Sequence, residues 1–256
     1  MELPLDKVDE IITDLPPGDM RSLQNCSLVA KSWTYYCQKR LFEIVDLNQS
    51  SLWFWLDNIS PANATLLGHV RQLSCHYPGG EIEPVHCFLR DYFSSFCNLR
   101  VFTFFHAEIS SQPHLTESFS AFQLSLSTIS MRGCTVTKSG FITLINHFPN
   151  LTSLDLRDLR YSRKYEPTPP LSRHRLKELF VDVWCFDSLI FVDELSELAM
   201  HFDEVAIDTG IAFRPEWPEF PIRVVDAFGA NIKCLEIDGI RECMCSLSFP
   251  RCENPW

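Results

Sequence analysis

One apolar triplet, with hydrophobic residues at its first, fourth and sixth places, recurs along most of this 256-residue chain and limits what the chain can fold into. The copies are Val70/Leu73/Cys75, Leu99/Phe102/Phe104, Leu126/Ile129/Met131, Leu151/Leu154/Leu156, Leu176/Leu179/Val181, Phe202/Val205/Ile207 and Ile232/Leu235/Ile237. Their starts differ by 29, 27, 25, 25, 26 and 30 residues, and an eighth copy, Phe42/Val45/Leu47, begins 28 residues before Val70. The fourth and sixth places share one face of a strand, because successive side chains on a strand point to opposite sides. A single short strand cannot bury that face alone, so neighbouring copies must stack and share one core.

The intervals leave room for a return segment after each strand. Thr137 caps a run in which Phe141, Leu144, Ile145 and Phe148 fall at helical spacing, and Pro61 sits where a first-turn proline belongs. Helix is therefore expected to alternate with strand. This pattern resembles the leucine-rich repeats over roughly residues 70 to 237, although the Asn/Cys ladder position of that family is not kept. The resemblance implies a quasi-one-dimensional solenoid with a long concave strand surface suited to protein binding. Two proline-rich stretches, residues 166–170 and 215–221, are expected to project from the stack as loops.

The first 45 residues carry a different pattern. Val8, Ile11, Ile12 and Leu15, then Leu23, Cys26, Val29 and Ala30, lie at helical intervals, with Pro16-Pro17-Gly18-Asp19 between them. Two short helices are expected, the second N-capped by Asp19, with Trp33 following on the same apolar side. A unit below about 40 residues cannot stabilise itself on its own core, so its apolar face must dock on something.

Leu3-Pro4, Val8, Ile11, Leu15-Pro16, Asp19-Met20, Leu23, Cys26 and Val29-Ala30-Lys31-Ser32-Trp33 together resemble the F-box motif, in its usual order of landmarks. Two positions depart from that pattern: Asp6 stands where the family usually has Glu, and Met20 where Leu is common. The resemblance implies binding to the Skp-type adaptor and cullin–RING core of SCF ubiquitin ligases. Leu3, Pro4, Val8, Ile11, Leu15, Leu23, Val29 and Trp33 would then stand at or near that contact. The expected fold class is α/β, with a short helical F-box-like N-terminus over residues 1–45 and an irregular leucine-rich-repeat-like solenoid over residues 46–256.

Strand alternation also says which side chains face away from the core. In the early copies these are Gln72, Ser74, His76, Val101, Thr103, Phe105, Thr128, Ser130 and Arg132, followed by Ser153, Asp155 and Arg157 in the middle copy. In the later copies they are Glu178, Phe180, Asp182, Glu204, Ala206, Asp208, Cys234, Glu236 and Asp238. The carboxylates Glu178, Asp182, Glu204, Asp208, Glu236 and Asp238 make that half of the face acidic, and suit it to a basic segment of a protein target.

Composition narrows the partners. A net charge of -11 repels phosphate backbones, so no nucleic acid is expected. No run of about 18 apolar residues occurs, and the start lacks a signal-peptide pattern, so no membrane partner is expected and the chain is placed inside the cell, in cytoplasm or nucleus. Eleven scattered cysteines, an odd number, cannot all pair, and most read as small buried hydrophobes.

The common nucleophile, phosphate-loop, dinucleotide and zinc-protease motifs are missing. Cys243-x-Cys245 with Cys252 matches no standard zinc spacing. No catalytic residue, metal or cofactor is expected. The leading expectation is a non-enzymatic substrate receptor of a cullin–RING ligase. The alternative is a repeat scaffold that works without ubiquitin machinery, its N-terminal helices serving only as a cap.

Overall fold

All eight triplets become strands. The computed structural model describes residues 4–16, 19–48, 51, 64–77, 92, 95–110, 119–164, 167–171, 176–182, 200, 202–208, 232–237 and 240–243. The triplet strands are β1 (Ile44–Leu47), β2 (Gln72–His76), β3 (Val101–Phe105), β5 (Thr128–Arg132), β7 (Ser153–Arg157), β9 (Glu178–Asp182), β10 (Glu204–Asp208) and β11 (Cys234–Ile237). They lie side by side in chain order and parallel, and β12 (Ile240–Cys243) closes the series antiparallel to β11. The result is an α/β protein with an open, mostly parallel nine-stranded sheet.

The pairing is in register with the triplets. Leu73, Phe102, Ile129, Leu154, Leu179, Val205 and Leu235 form one continuous row of Cα partners across seven strands. Every one of these side chains is buried, as are Cys75, Phe104, Met131, Leu156, Val181 and Ile207 in the next row. A one-residue slip would turn each strand's apolar set to the opposite face, so the pattern itself specifies the register.

A second, three-stranded sheet was not legible in the triplets. It contains β4 (Glu108–Ile109), β6 (Thr135–Val136) and β8 (Arg160–Tyr161), again parallel. Each of these short strands follows a triplet strand after a corner residue in the left-handed region: His106 at φ 59°, Gly133 at φ 63° and Asp158 at φ 47°. The three corners occupy equivalent places, and each is followed by a buried residue, Ala107, Cys134 or Leu159. One stacked corner therefore repeats in at least three consecutive copies, and glycine occupies only one of them.

Helix accompanies strand in several of the return segments. Among the described residues, the return segments contain the α-helix α4 (Lys138–His147), helical residues at Ser51 and Tyr92, and short 3-10 turns at Ala64–His69 and Ser120–Phe122. Thr137 caps α4 as expected, accepting a hydrogen bond from the Gly140 amide at 3.0 Å. Pro61 and the 215–221 stretch lie outside the described residues. Residues 167–171 are irregular, and their carbonyls at Pro167 and Pro170 accept from Ser139 and Asn146 of α4 at 2.7 and 2.9 Å.

Helix α4 sits so close to β4 that Gly140 has no room for a side chain. A Cβ there would stand 2.6 Å from the Ile109 carbonyl oxygen and 2.7 Å from Ser110 backbone atoms. Alanine is normally better than glycine inside a helix by about 1 kcal/mol. Here the contact is with backbone, which cannot swing aside, so Gly140→Ala is expected to destabilise by about 2 kcal/mol. Urea unfolding of the two proteins reads the sign directly.

Return segments also fill the core. Phe119 packs on Phe102, Phe104, Phe122 and Phe148 with ring centroids 5.3–6.0 Å apart, and all five rings are fully buried.

At the N-terminus the structure has three helices where two were expected: α1 (Leu5–Thr13), α2 (Met20–Val29) and α3 (Lys31–Leu41). Asp19 caps α2 as expected, its carboxylate accepting from the Ser22 amide at 3.0 Å. The unexpected α3 carries Trp33 and Cys37 toward α1 and α2, and gives the unit a small core of Val8, Ile12, Leu23 and Cys37. Strand β1 begins at Ile44, just before the expected boundary between residues 45 and 46.

Candidate functional site

Two surfaces are candidates. The first is the N-terminal helical unit, where Pro4 opens α1 by accepting from the Lys7 and Val8 amides at 3.0 and 3.1 Å. Among the residues expected to meet an adaptor, Val8 and Leu23 are buried within the unit, and Leu15 and Trp33 pack partly buried against the same cluster. Pro4, Ile11 and Val29 face solvent, and Leu3 lies outside the described residues. Val8 and Leu23 thus belong to the unit's own core, and the third helix closes that core with Cys37.

The exposed apolar side chains concentrate here. Of eight large hydrophobic residues exposed in the described chain, six lie in these helices: Leu5, Ile11, Met20, Leu28, Val29 and Tyr35. Leu28 is 84% exposed and Val29 67%, values unusual for adjacent aliphatic residues of a folded unit. Single exposed hydrophobes need no explanation, but six in about thirty residues do.

The second surface is the outward face of the nine-stranded sheet. Its centre is a network on β5 and β7, which run in register with Arg132 opposite Arg157. Asp155 holds both guanidinium groups, accepting from Arg157 Nε at 2.7 Å and from Arg132 Nη2 at 3.3 Å, and it also accepts from Ser130 Oγ at 2.9 Å. Each guanidinium also lies over an aromatic ring: Arg157 is 4.2 Å from the Phe180 centroid and Arg132 5.6 Å from that of Phe105. Phe105 in turn stacks on His76, with centroids 4.2 Å apart and planes 7° from parallel.

Toward the C-terminal strands the face turns acidic. Glu178 and Glu204 are cross-strand partners, both exposed, and with Glu236 they border a shallow depression of about 230 Å³ that also takes in Phe180, Ala206 and Cys234. Asp208 is half-buried and Asp238 lies outside the described residues. Like charges directly opposite on neighbouring strands are destabilising, so this arrangement is held at a cost.

Asp182 departs from the expectation of an exposed carboxylate, being only 8% exposed, with Oδ1 buried and without a hydrogen-bond partner. Burial pushes its carboxyl up to about 6, the charges of Asp208 and Asp158 add to the rise, and Arg157 and the Asp158 backbone oppose it. The folded state therefore holds the proton more tightly than the unfolded chain, whose value is near 3.8. Stability contributed by this group is present below about pH 4 and is lost as pH rises through about 6. Asp182→Asn is expected to remove that slope and to stabilise the protein at pH 7 by roughly 2–3 kcal/mol. Denaturant midpoints measured between pH 4 and pH 8 check both statements.

Burial disfavours the thiolate at two cysteines. Burial pushes Cys134 up to about 11 and Cys75 far above the ordinary thiol range, so both are packing groups. Cys37 is buried too, whereas Cys97 is exposed. No group of His, Cys, Asp and Glu that could hold a metal occurs among the described residues, and no helix among them is long and apolar enough to cross a membrane.

Sequence reasoning missed two features that had a signal. The arginine pair was visible as Arg132 and Arg157 at the same outward place of adjacent triplets. Asn98 and Asn150, each immediately before a triplet leucine, donate to the Gly68 and Leu124 carbonyls of the preceding copy at 2.7 Å, so asparagine links two pairs of neighbouring copies at a different place from the one sought. Compared with protein-family models and with curated protein sequences, the chain matches none.

Proposed function

We propose that this chain is a substrate receptor of an SCF-type ubiquitin ligase, non-catalytic itself, that docks a Skp-type adaptor with its N-terminal helices and presents a protein target on its sheet face. The observation that carries the reading is the set of exposed aliphatic side chains on α1 and α2, among them Ile11, Leu28 and Val29. Such a set costs solubility unless something covers it. The Leu-Pro start and the Val-Ala-Lys-Ser-Trp end supply the resemblance that names the cover. In this reading the strands, the short second sheet and the repeated corners are turns of an irregular leucine-rich-repeat-like solenoid. Ubiquitin transfer happens on other subunits, and this chain contributes proximity.

A second reading treats the helices as a cap on the first strands. It is favoured by α3, whose Tyr35 ring meets His69 edge-on at 5.3 Å in the turn before β2. Co-elution separates the two. The purified full chain mixed with a Skp-type adaptor and passed through a sizing column is expected to elute as a one-to-one complex. Separate elution of two folded proteins contradicts the ligase reading and leaves the cap.

A further inference from the structure

Arg132 and Arg157 are restrained in a way that their own ion pair does not require. Asp155 alone would hold either one, and the aromatic rings of Phe105 and Phe180 fix the planes of the two guanidinium groups a second time. Arg157 uses only Nε toward Asp155, so its two terminal nitrogens make no hydrogen bond among the described residues. Arg132 spends Nε on Ser130 and Nη2 on Asp155, which leaves Nη1. Both side chains remain more than a third exposed, at 41% and 37%, whereas Asp155 between them is 18% exposed. Two guanidinium forks against one carboxylate leave donors in excess. Planar forks of this kind match the oxygens of a carboxylate or phosphate in pairs, and rings that stack on them reduce the ordering needed on binding.

We propose that Arg132 and Arg157 form a binding site for an oxyanion carried on an extended peptide of the target. The site rests on the target-receptor reading and names the chemistry that the sheet face would recognise. Its surroundings choose the class of ligand. Glu178, Glu204 and Glu236 border the neighbouring depression, and the chain carries net charge -11, so a free polyanion or a nucleic acid is repelled from this face. A peptide bearing both signs is not. With about 4.8 Å between strands and 3.3 Å per residue along them, a basic side chain about five residues beyond the anion reaches the glutamates. Asp158 and Asp182 lie close to Arg157 and weaken its hold on any anion, so a short peptide is expected to bind with a dissociation constant on the order of 1 mM.

The test follows the arginine Nε–H signals of the full chain by NMR during titration with four probes. Three are six-residue peptides ending in lysine and beginning with phosphoserine, glutamate or serine, and the fourth is inorganic phosphate. The expected result is saturable displacement of the Arg132 and Arg157 signals by the phosphoserine peptide, the glutamate peptide or both, and none by the serine peptide. Whichever acidic peptide binds tighter identifies the oxyanion. Arg157→Lys, which keeps the charge but loses the fork, is expected to weaken binding at least fivefold with an unchanged melting temperature. Phe180→Leu, which removes the ring and keeps an apolar side chain, is a second variant expected to weaken it less. Saturation by the serine peptide, equal affinity for inorganic phosphate and phosphopeptide, or no saturation by any probe would overturn the proposal. Adaptor capture measured on Arg157→Lys keeps the two readings separate, because it depends on the helices alone and is expected to be unchanged.

Discussion

Replacing Phe119 by alanine is expected to lower the unfolding free energy by about 3–5 kcal/mol, a large part of what holds a domain together. Phe119 belongs to no triplet. It comes from a return segment, yet it lies fully buried among Phe102, Phe104, Phe122 and Phe148, touching rings from β3 and from the end of α4. Truncation would leave a cavity among rings that cannot collapse without shifting β3 or the end of α4. Loss of the edge-to-face contacts with Phe102 and Phe104 adds to the loss of burial. A control is available nearby: Leu124 is 73% exposed, and Leu124→Ala is expected to stay within about 0.5 kcal/mol of the parent. Chemical denaturation of the three proteins decides the matter. A small effect at Phe119 would mean that the return segment is not part of the core.

The second large effect separates docking from folding within one helical unit. Ile11 and Val29 are exposed, whereas Val8 and Leu23 on the same two helices are buried. Ile11→Asp and Val29→Asp are expected to leave the melting temperature nearly unchanged and to weaken adaptor binding by about 30-fold each, the loss of one hot-spot side chain at about 2 kcal/mol. Val8→Ala and Leu23→Ala are expected to do the reverse first, costing about 2–4 kcal/mol of stability, and to affect binding through the loss of folded protein. If all four variants lowered stability alike and binding only in proportion, the exposed residues would have no docking role. The contrast is sharp because the two pairs differ in burial and hardly in chemistry.

How much of this was legible beforehand depended on periodicity. The triplets carried the strand positions, the shared face and, through the pleat, the register, because a period of two leaves no other solution. Asp19 and Thr137 were legible as caps because a short polar side chain before an apolar helical run has one use. Helix α3 was not, since Lys31–Leu41 mixes Tyr35, Cys37, Lys39 and Arg40 in a pattern with little apolar contrast between its faces. The corners at His106 and Asp158 were hidden because residues other than glycine adopt the left-handed conformation there, and only Gly133 shows it by type. On the sheet face, alternation predicted which side chains leave the core but not how they pair. It listed Asp182 beside the exposed Glu178 and Glu204, although the proximity of Asp158, Arg157 and Asp208 makes its environment different. It placed Arg132, Asp155 and Arg157 on one face in adjacent copies but did not show that Asp155 binds both guanidinium groups.

The most direct test of the central claim is amide hydrogen exchange of the full chain, alone and with a saturating Skp-type adaptor. The account predicts added protection over α1 and α2 and the turn between α2 and α3, with Leu28 and Val29 inside the footprint and the amides of β5, β7, β9 and β10 unchanged. Protection confined to the sheet face, or none anywhere in a folded chain, would contradict it.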